Sequence, residues 1–229
     1  MRVETSLQLL PKSRGVRGTS KRHLRVEPNP RAGSLSHRSE NLPPMSLDIV
    51  ILHGTMGSPE GNWFPWLKSQ MEKKGHTVYI PTFPTPKDQT VEAWFTALKD
   101  QAPLLGHKTI LIGHSCGATF IPHILESVKE PVKQAIMVSP FIKAIGNEEY
   151  DALNQTFYDH DFNWSIICDN ALNIDIFHGD NDPYVPAEHA QMLSKELSAP
   201  LHMIKNGGHL NTEAGYVKFP ELLEIIKNA

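Results

Sequence analysis

The sequence predicts an α/β fold, with a doubly wound, mostly parallel sheet of about six strands flanked by helices. Short apolar runs alternate with longer segments of helical periodicity from residue 47 onward, and this alternation is typical of a parallel sheet. Two runs, 47–52 and 109–112, consist almost entirely of apolar or β-branched residues, as expected for strands buried on both faces. Small and polar residues follow several runs, at the strand ends where such sheets bind ligands.

The elements follow one another in a regular order. The predicted strands cover residues 47–52, 76–80, 109–112, 132–138, 174–178 and 201–205. The predicted helices cover about 63–74, 91–104, 118–128 and 187–197, with a last helix that begins at Pro220. The alternation of strands and helices is interrupted at residues 141–168, which contain many aromatic and acidic residues. This composition predicts a small cap or extended loop, with one or two short helices, over the strand ends.

The charge distribution divides the chain in two. Residues 1–44 hold nine basic and three acidic residues, whereas residues 45–229 hold thirteen lysines and twenty-two acidic residues, and every arginine lies before position 39. A segment rich in Arg, Ser and Pro buries too little apolar surface to offset the entropy of folding. We therefore expect a basic, disordered extension over 1–44 and a single folded domain over 45–229.

The extension has three alternative origins. A start codon assigned too early would make Met45 the true first residue, an organellar transit peptide would have the same Arg- and Ser-rich composition, and a basic arm would bind nucleic acid. The abrupt change in arginine usage favours the first.

We expect a cytoplasmic protein, or an organellar one if the extension is a transit peptide, with neither nucleic acid nor a membrane as partner. No apolar run approaches the length of a membrane span.

Cysteine and histidine usage gives no sign of a disulfide or a metal. The only cysteines are Cys116 and Cys168, and they lack the spacing of a zinc motif. A structural disulfide is not expected, which favours a reducing compartment. The twelve histidines include no pair with metal-binding spacing on a predicted helix, so we expect no metal and no organic cofactor.

A Gly-x-Ser-x-Gly pattern follows the strand at 109–112 and precedes an apolar helix. It comprises Gly113, Ser115 and Gly117. In this arrangement the serine lies at a sharp strand-to-helix turn, and the small glycines allow strand and helix to approach each other. Such a turn would expose the Ser115 hydroxyl above the edge of the sheet. We therefore expect Ser115 to be the nucleophile.

The first strand ends in a loop of small residues that begins with His53. Loops of this kind supply one of the two backbone donors that stabilise an oxyanion in acyl-transfer enzymes. We expect the N–H groups of Thr55 and Cys116 to be that pair. The substrate pocket is predicted to include the side chains of His53, Met56, Trp63, His114, Phe141 and Trp164.

A serine hydroxyl needs an adjacent base to act at neutral pH, and a carboxylate behind that base fixes its tautomer. His209 is presented by a glycine-rich loop after the last strand, and we expect it to be the base. Asp182 follows the strand at 174–178 and is the expected acid, with Asp180 and Asp175 as alternatives.

The chain resembles the α/β-hydrolase superfamily, in which the serine, the acid and the histidine follow one another in this order. The stretches that carry this resemblance are 112–118, 178–183 and 207–212. Within the superfamily, residues from about 47 to 227 are similar to the small serine hydrolases of the YdeN and retinoblastoma-binding-protein type. The resemblance implies a minimal hydrolase core with a small cap and a triad of Ser115, Asp182 and His209.

We therefore expect a serine hydrolase of the carboxylesterase type, which cleaves small carboxylic esters through an acyl-serine intermediate. Amides and peptides are alternative substrates. A protein-interaction module that keeps the hydrolase fold with little turnover is the alternative function.

Overall fold

The computed structural model describes residues 45–227, which form six strands and seven helices. The predicted extension at 1–44 lies outside these residues. The strands are β1 (Asp48–Leu52), β2 (Thr77–Tyr79), β3 (Thr109–His114), β4 (Gln134–Val138), β5 (Ile174–Gly179) and β6 (Leu201–Ile204). The helices are α1 (Phe64–Glu72), α2 (Val91–Gln101), α3 (Cys116–Ser127), α4 (Glu148–Tyr158), α5 (Trp164–Asp169), α6 (Ala187–Glu196) and α7 (Pro220–Lys227).

All six strands pair in parallel in one sheet, in the order β2-β1-β3-β4-β5-β6. This confirms the predicted sheet. Because side chains alternate along a strand, Val50 and Leu52 of β1 point into one core, whereas Ile49 and Ile51 point into the other. The first core contains α2, α3 and α6, and the second contains α1 and α7.

Several predicted boundaries move for local physical reasons. Helix α2 ends at Gln101 rather than near residue 104, because Pro103 forces Ala102 into an extended conformation with ψ of 158°. Strand β4 begins at Gln134, and upstream of it Val132 forms only an isolated bridge with Ala171.

The irregular region after β4 forms two helices, α4 and α5. Asn147 caps α4 by accepting a hydrogen bond from the Tyr150 N–H at 3.2 Å, and three acidic residues occupy the first turn, where the helix dipole favours them. The sequence predicted one or two short helices in this region. The structure has two, of which α4 is eleven residues long. None of the helices described between residues 45 and 227 has the length and apolar character needed to cross a bilayer.

The parallel arrangement brings the carboxyl ends of the strands to one edge of the sheet. The residues that follow β1, β3, β5 and β6 include Gly54, Ser115, Asp182 and His209. Residues from four separate loops therefore meet at this edge.

Candidate active site

Ser115 is the single residue between β3 and α3, and its backbone is strained. Its φ of 55° and ψ of −123° lie in a region that non-glycine residues avoid, at a cost of about 1–3 kcal/mol. Hydrogen bonds on both sides hold the turn: the Ser115 N–H donates to Val138 O at 2.8 Å, and its carbonyl accepts from Ala118 N at 2.9 Å. The serine is thus fixed at the end of the central strand.

Close packing explains the glycines around the turn. A Cβ atom on Gly113 would overlap the backbone of Gly117, and a Cβ atom on Gly117 would overlap the carbonyl oxygen of Leu52. A Cβ atom on Gly54 would lie 2.9 Å from Ser115 Cβ. These distances confirm that strand and helix approach closely only because the glycines lack side chains.

Asp182 and His209 form a short, buried contact. His209 Nδ1 lies 2.7 Å from Asp182 Oδ2, and the two side chains are 8% and 1% exposed. Asp182 Oδ1 accepts from the N–H groups of Tyr184 at 2.9 Å and Val185 at 3.1 Å. Burial opposes ionisation of Asp182, but the His209 ring and these two donors outweigh it and lower the pKa of the carboxyl.

The two alternative acids have other partners. Asp180 accepts from the Asn206 N–H at 2.7 Å, whereas Asp175 contacts the imidazole of His202 at 2.8 Å and the amide of Gln134 at 2.9 Å. Asp182 is therefore the carboxylate that meets His209.

The backbone of His209 is held from two sides. Its carbonyl accepts from His114 Nε2 at 2.9 Å and from Ser139 Oγ at 3.2 Å. Burial, and next the proximity of His209, lower the pKa of His114 to about 3, so His114 is neutral and donates through Nε2. On the other side of the loop, the Gly208 N–H donates to Asn181 Oδ1 at 2.7 Å. The glycine-rich loop thus presents His209 in a fixed position.

Ser115 and His209 line the same cavity, which has a volume of about 280 Å³. Of the predicted pocket residues, Met56, His114 and Phe141 also line it, and so does Thr55. The sequence did not indicate several further lining side chains, namely Asn62, Ile145, Asn154, Tyr184, Val185, Asn211 and Glu213.

Three residues predicted to line the pocket lie elsewhere. His53 is completely buried, and its Nε2 accepts from the Phe83 N–H at 3.0 Å. Trp63 is also completely buried and donates from its indole N–H to Leu210 O at 3.1 Å. Trp164 begins α5 and packs on Phe162, with ring centroids 5.0 Å apart. These pocket assignments are wrong, because packing against the core takes each ring away from the cavity.

The two predicted oxyanion donors belong to the residue that follows Ser115 and to a residue of the loop after β1. Cys116 is the first residue of α3, where backbone N–H groups have no acceptor within the helix. Thr55 lines the cavity, and the next N–H, of Met56, is already engaged with Thr85 Oγ1 at 2.7 Å. The Cys116 thiol is buried, which raises its pKa.

A polar network behind Thr55 was not expected from the sequence. Thr55 Oγ1 donates to Asn154 Oδ1 at 2.6 Å, and Gln89 Nε2 donates to both, at 2.9 and 2.8 Å. Thr85 Oγ1 donates to Gln89 Oε1. Gln89 and Asn154 are buried, and the network joins α4 to the loop after β1.

At the opposite rim of the cavity, the Tyr184 hydroxyl donates to Glu213 at 2.5 Å. The Tyr184 ring packs edge-on against the His209 ring, with centroids 5.2 Å apart. No motif in the sequence pointed to either side chain. Among the described residues, the one group of three side chains suited to hold a metal is His123, Glu126 and His160, none of which lines the cavity.

Comparisons with known proteins agree with this arrangement. Residues 49–228 match the family model described as serine hydrolase. Over 185 residues the chain is 26% identical to the hydrolase YdeN of Bacillus subtilis, covering 80% of this chain and 95% of that protein. Over 183 residues it is 27% identical to the serine hydrolase RBBP9 of Rattus norvegicus, covering 78% and 93%.

Solved structures show the same fold. The structure of the ydeN gene product from B. subtilis superposes with a TM-score of 0.72 at 24% identity, covering 80% of this chain and 98% of that one. The structure of Est1E from Butyrivibrio proteoclasticus with bound ferulic acid gives a TM-score of 0.60 at 18% identity, covering 82% and 92%. The fold is that of the α/β-hydrolases.

Proposed function

The chain belongs to the serine hydrolase family, and we propose that it cleaves small carboxylic esters through an acyl-serine intermediate. One observation carries this proposal: Ser115 and His209 line one cavity, and Asp182 lies 2.7 Å behind His209. A hydroxyl, an imidazole and a carboxylate in this order are the groups that acyl transfer requires.

In the proposed first half-reaction, Ser115 Oγ attacks the ester carbonyl carbon while His209 Nε2 takes the hydroxyl proton. The carbonyl π electrons move to oxygen, and the N–H groups of Thr55 and Cys116 stabilise the resulting oxyanion. When the oxyanion collapses, the bond to the alkoxy group breaks. His209 gives its proton to the departing alcohol, and the acyl group remains on Ser115.

In the second half-reaction, water attacks the acyl carbon and His209 takes its proton. Collapse of this second oxyanion breaks the bond to Ser115, and the proton returns to Oγ as the acid leaves. Asp182 remains ionised throughout, because its hydrogen bonds favour the carboxylate. It holds His209 Nδ1 protonated and leaves Nε2 free to accept.

The cavity supports a preference for short acyl groups. Its volume of about 280 Å³ falls at the lower limit of pockets for small ligands, which span roughly 300–1,000 Å³. Phe141, Ile145 and Val185 provide an apolar wall, whereas Asn62 and Glu213 provide polar groups elsewhere in the lining. We propose that the apolar wall receives the acyl chain.

A substrate panel tests the proposal. The full chain is assayed with p-nitrophenyl esters of increasing acyl length and with aminoacyl amides, beside the Ser115→Ala variant. We expect kcat/KM to be highest for short esters, to fall for long chains and to be lost in the variant. Equal hydrolysis by the variant, or no hydrolysis of any ester or amide by the folded protein, would contradict the proposal.

A further inference from the structure

A second cluster of reactive side chains joins α3 to the segment between α4 and α5. His123 and Glu126 lie one helical turn apart on α3, and His160 approaches them from that segment. One ligand atom from each lies within 4.8 Å of the other two. We propose that His123, Glu126 and His160 bind a divalent transition metal of the zinc type.

The chemistry of the set fits such a cation. Two imidazoles and one carboxylate are ligands that Zn²⁺ accepts in a tetrahedral site, and three protein ligands leave one position for water. Hard cations such as Mg²⁺ prefer oxygen ligands alone, so the two histidines select against them. Residues at positions i and i+3 of a helix share a face, which places His123 beside Glu126.

The hydrogen bonds around the cluster orient its ligand atoms. His123 Nε2 lies 2.9 Å from the Phe157 carbonyl, which can only accept, so Nε2 carries the proton and Nδ1 keeps its lone pair. A backbone carbonyl on the second ring nitrogen is the usual support of a metal-binding histidine.

Glu126 is oriented in the same way. Its Oε1 accepts from the Asn163 N–H at 2.6 Å, which leaves Oε2 directed at His160 Nε2, 2.7 Å away. The Phe162 ring packs against both imidazoles, with centroid distances of 4.8 Å. Hydrogen bonds and aromatic contacts thus keep the three side chains close together.

A small side-chain movement would bring the three ligand atoms to the spacing that a bound cation requires. Ligand atoms bonded to Zn²⁺ at about 2.0–2.1 Å in a tetrahedron lie about 3.3 Å apart. The His160 side chain is 41% exposed, against 20% for Glu126, so the adjustment falls mainly to His160. The metal would then replace the direct contact between His160 and Glu126.

The position of the cluster indicates what the metal would do. None of its side chains lines the cavity, so the metal would take no part in acyl transfer. It would instead fasten the end of α4 to α3, and α4 carries Asn154 of the polar network. The site would therefore stabilise the cap over the hydrolase core.

Calorimetry tests the site on the full chain. Protein freed of metal by a chelator is titrated with ZnCl₂, as wild type and as His160→Gln and Glu126→Gln. We expect a site of one zinc per chain in the wild type and a loss of affinity of at least about 10–100-fold in both variants. The control is His107→Gln: His107 lies 3.9 Å from Glu130 in an exposed pair, and it should bind zinc as the wild type does.

Thermal unfolding provides a second readout that does not depend on activity. A cation that binds the folded state alone raises the midpoint temperature. Zn²⁺ should raise it for the wild type and for His107→Gln but not for His160→Gln, and Mg²⁺ should have no effect on any of them. Zinc that binds all four proteins equally, or binds none of them, would overturn the proposal.

Discussion

The Thr55 hydroxyl donates a 2.6 Å hydrogen bond to the Asn154 amide, and this bond connects the cap helix α4 to the loop that holds a predicted oxyanion donor. Asn154 is buried and is itself fixed by donation to Tyr150 O at 2.8 Å. Gln89 bridges both partners. The position of the Thr55 N–H therefore depends on side chains that are distant in the sequence.

Replacement of Asn154 by Ala should lower kcat by about tenfold or more with a smaller change in KM. Losing an oxyanion donor outright costs about 10²–10³ in kcat, and a displaced donor costs part of this. Steady-state kinetics on a short ester measures the effect. Gln155→Ala, on the exposed side of α4, is the matched control and should keep wild-type kcat. Equal values for both variants would show that the network does not position the donor.

The Asp182→Asn variant should fold and lose about 10⁴ in kcat, because an amide at this position no longer favours protonation of His209 Nδ1. Kinetics and a circular dichroism spectrum check the two parts of this prediction. Asp175→Asn alters a carboxylate that contacts His202 and Gln134, and it should leave kcat unchanged. A harmless Asp182→Asn beside a crippling Asp180→Asn would show that the acid is Asp180.

Stability should fall as the pH drops below about 6.5, with His114 as one cause. The unfolded chain protonates this histidine near pH 6.5, whereas the folded protein does so only near pH 3. Between these values the unfolded state binds the extra proton, so the free energy of unfolding decreases by about 1.4 kcal/mol per pH unit for this group.

Urea unfolding at several pH values measures that slope. The His114→Gln variant should lose the part of the slope that corresponds to the uptake of one proton on unfolding. An unchanged slope in His114→Gln would mean that the folded protein takes up the proton at His114 as readily as the unfolded chain does.

The glycine after Ser115 should not tolerate a side chain. Gly117→Ala would drive a methyl group into the carbonyls of Leu52 and His53, and overpacking of this kind costs about 1–3 kcal/mol or more. Gly106→Ala is the control, since its nearest neighbour is the mobile end of the Glu130 side chain at 3.2 Å. Chemical unfolding of both variants compares them, and equal stability would contradict the close approach of β1 and α3.

The sheet and the elements that carry Ser115, Asp182 and His209 were predictable because each leaves a local pattern. A buried strand is an apolar run, and each of these residues follows such a run in the sequence. The parallel arrangement then brings the strand ends together without further information. The sequence favoured Asp182 over Asp180 as the acid, and the hydrogen bonds show that Asp182 contacts His209 whereas Asp180 contacts Asn206.

The rest of the site depends on contacts that leave no local pattern. Gln89 and Asn154 lie 34 and 99 residues from Thr55, and nothing in their sequence neighbourhoods distinguishes them from surface amides. Two tryptophans give the opposite error. Trp63 and Trp164 were predicted to line the pocket from their places in the sequence, but both pack elsewhere. Side-chain direction is decided by tertiary packing.

Labelling with a fluorophosphonate tests most directly that Ser115 is an activated nucleophile. The probe should modify the folded full-length protein at Ser115, as identified by peptide mass spectrometry, and Ser115→Ala should not be labelled although it folds. Absence of labelling in the folded wild type, or equal labelling of Ser115→Ala, would contradict the account and favour an interaction module with the hydrolase fold.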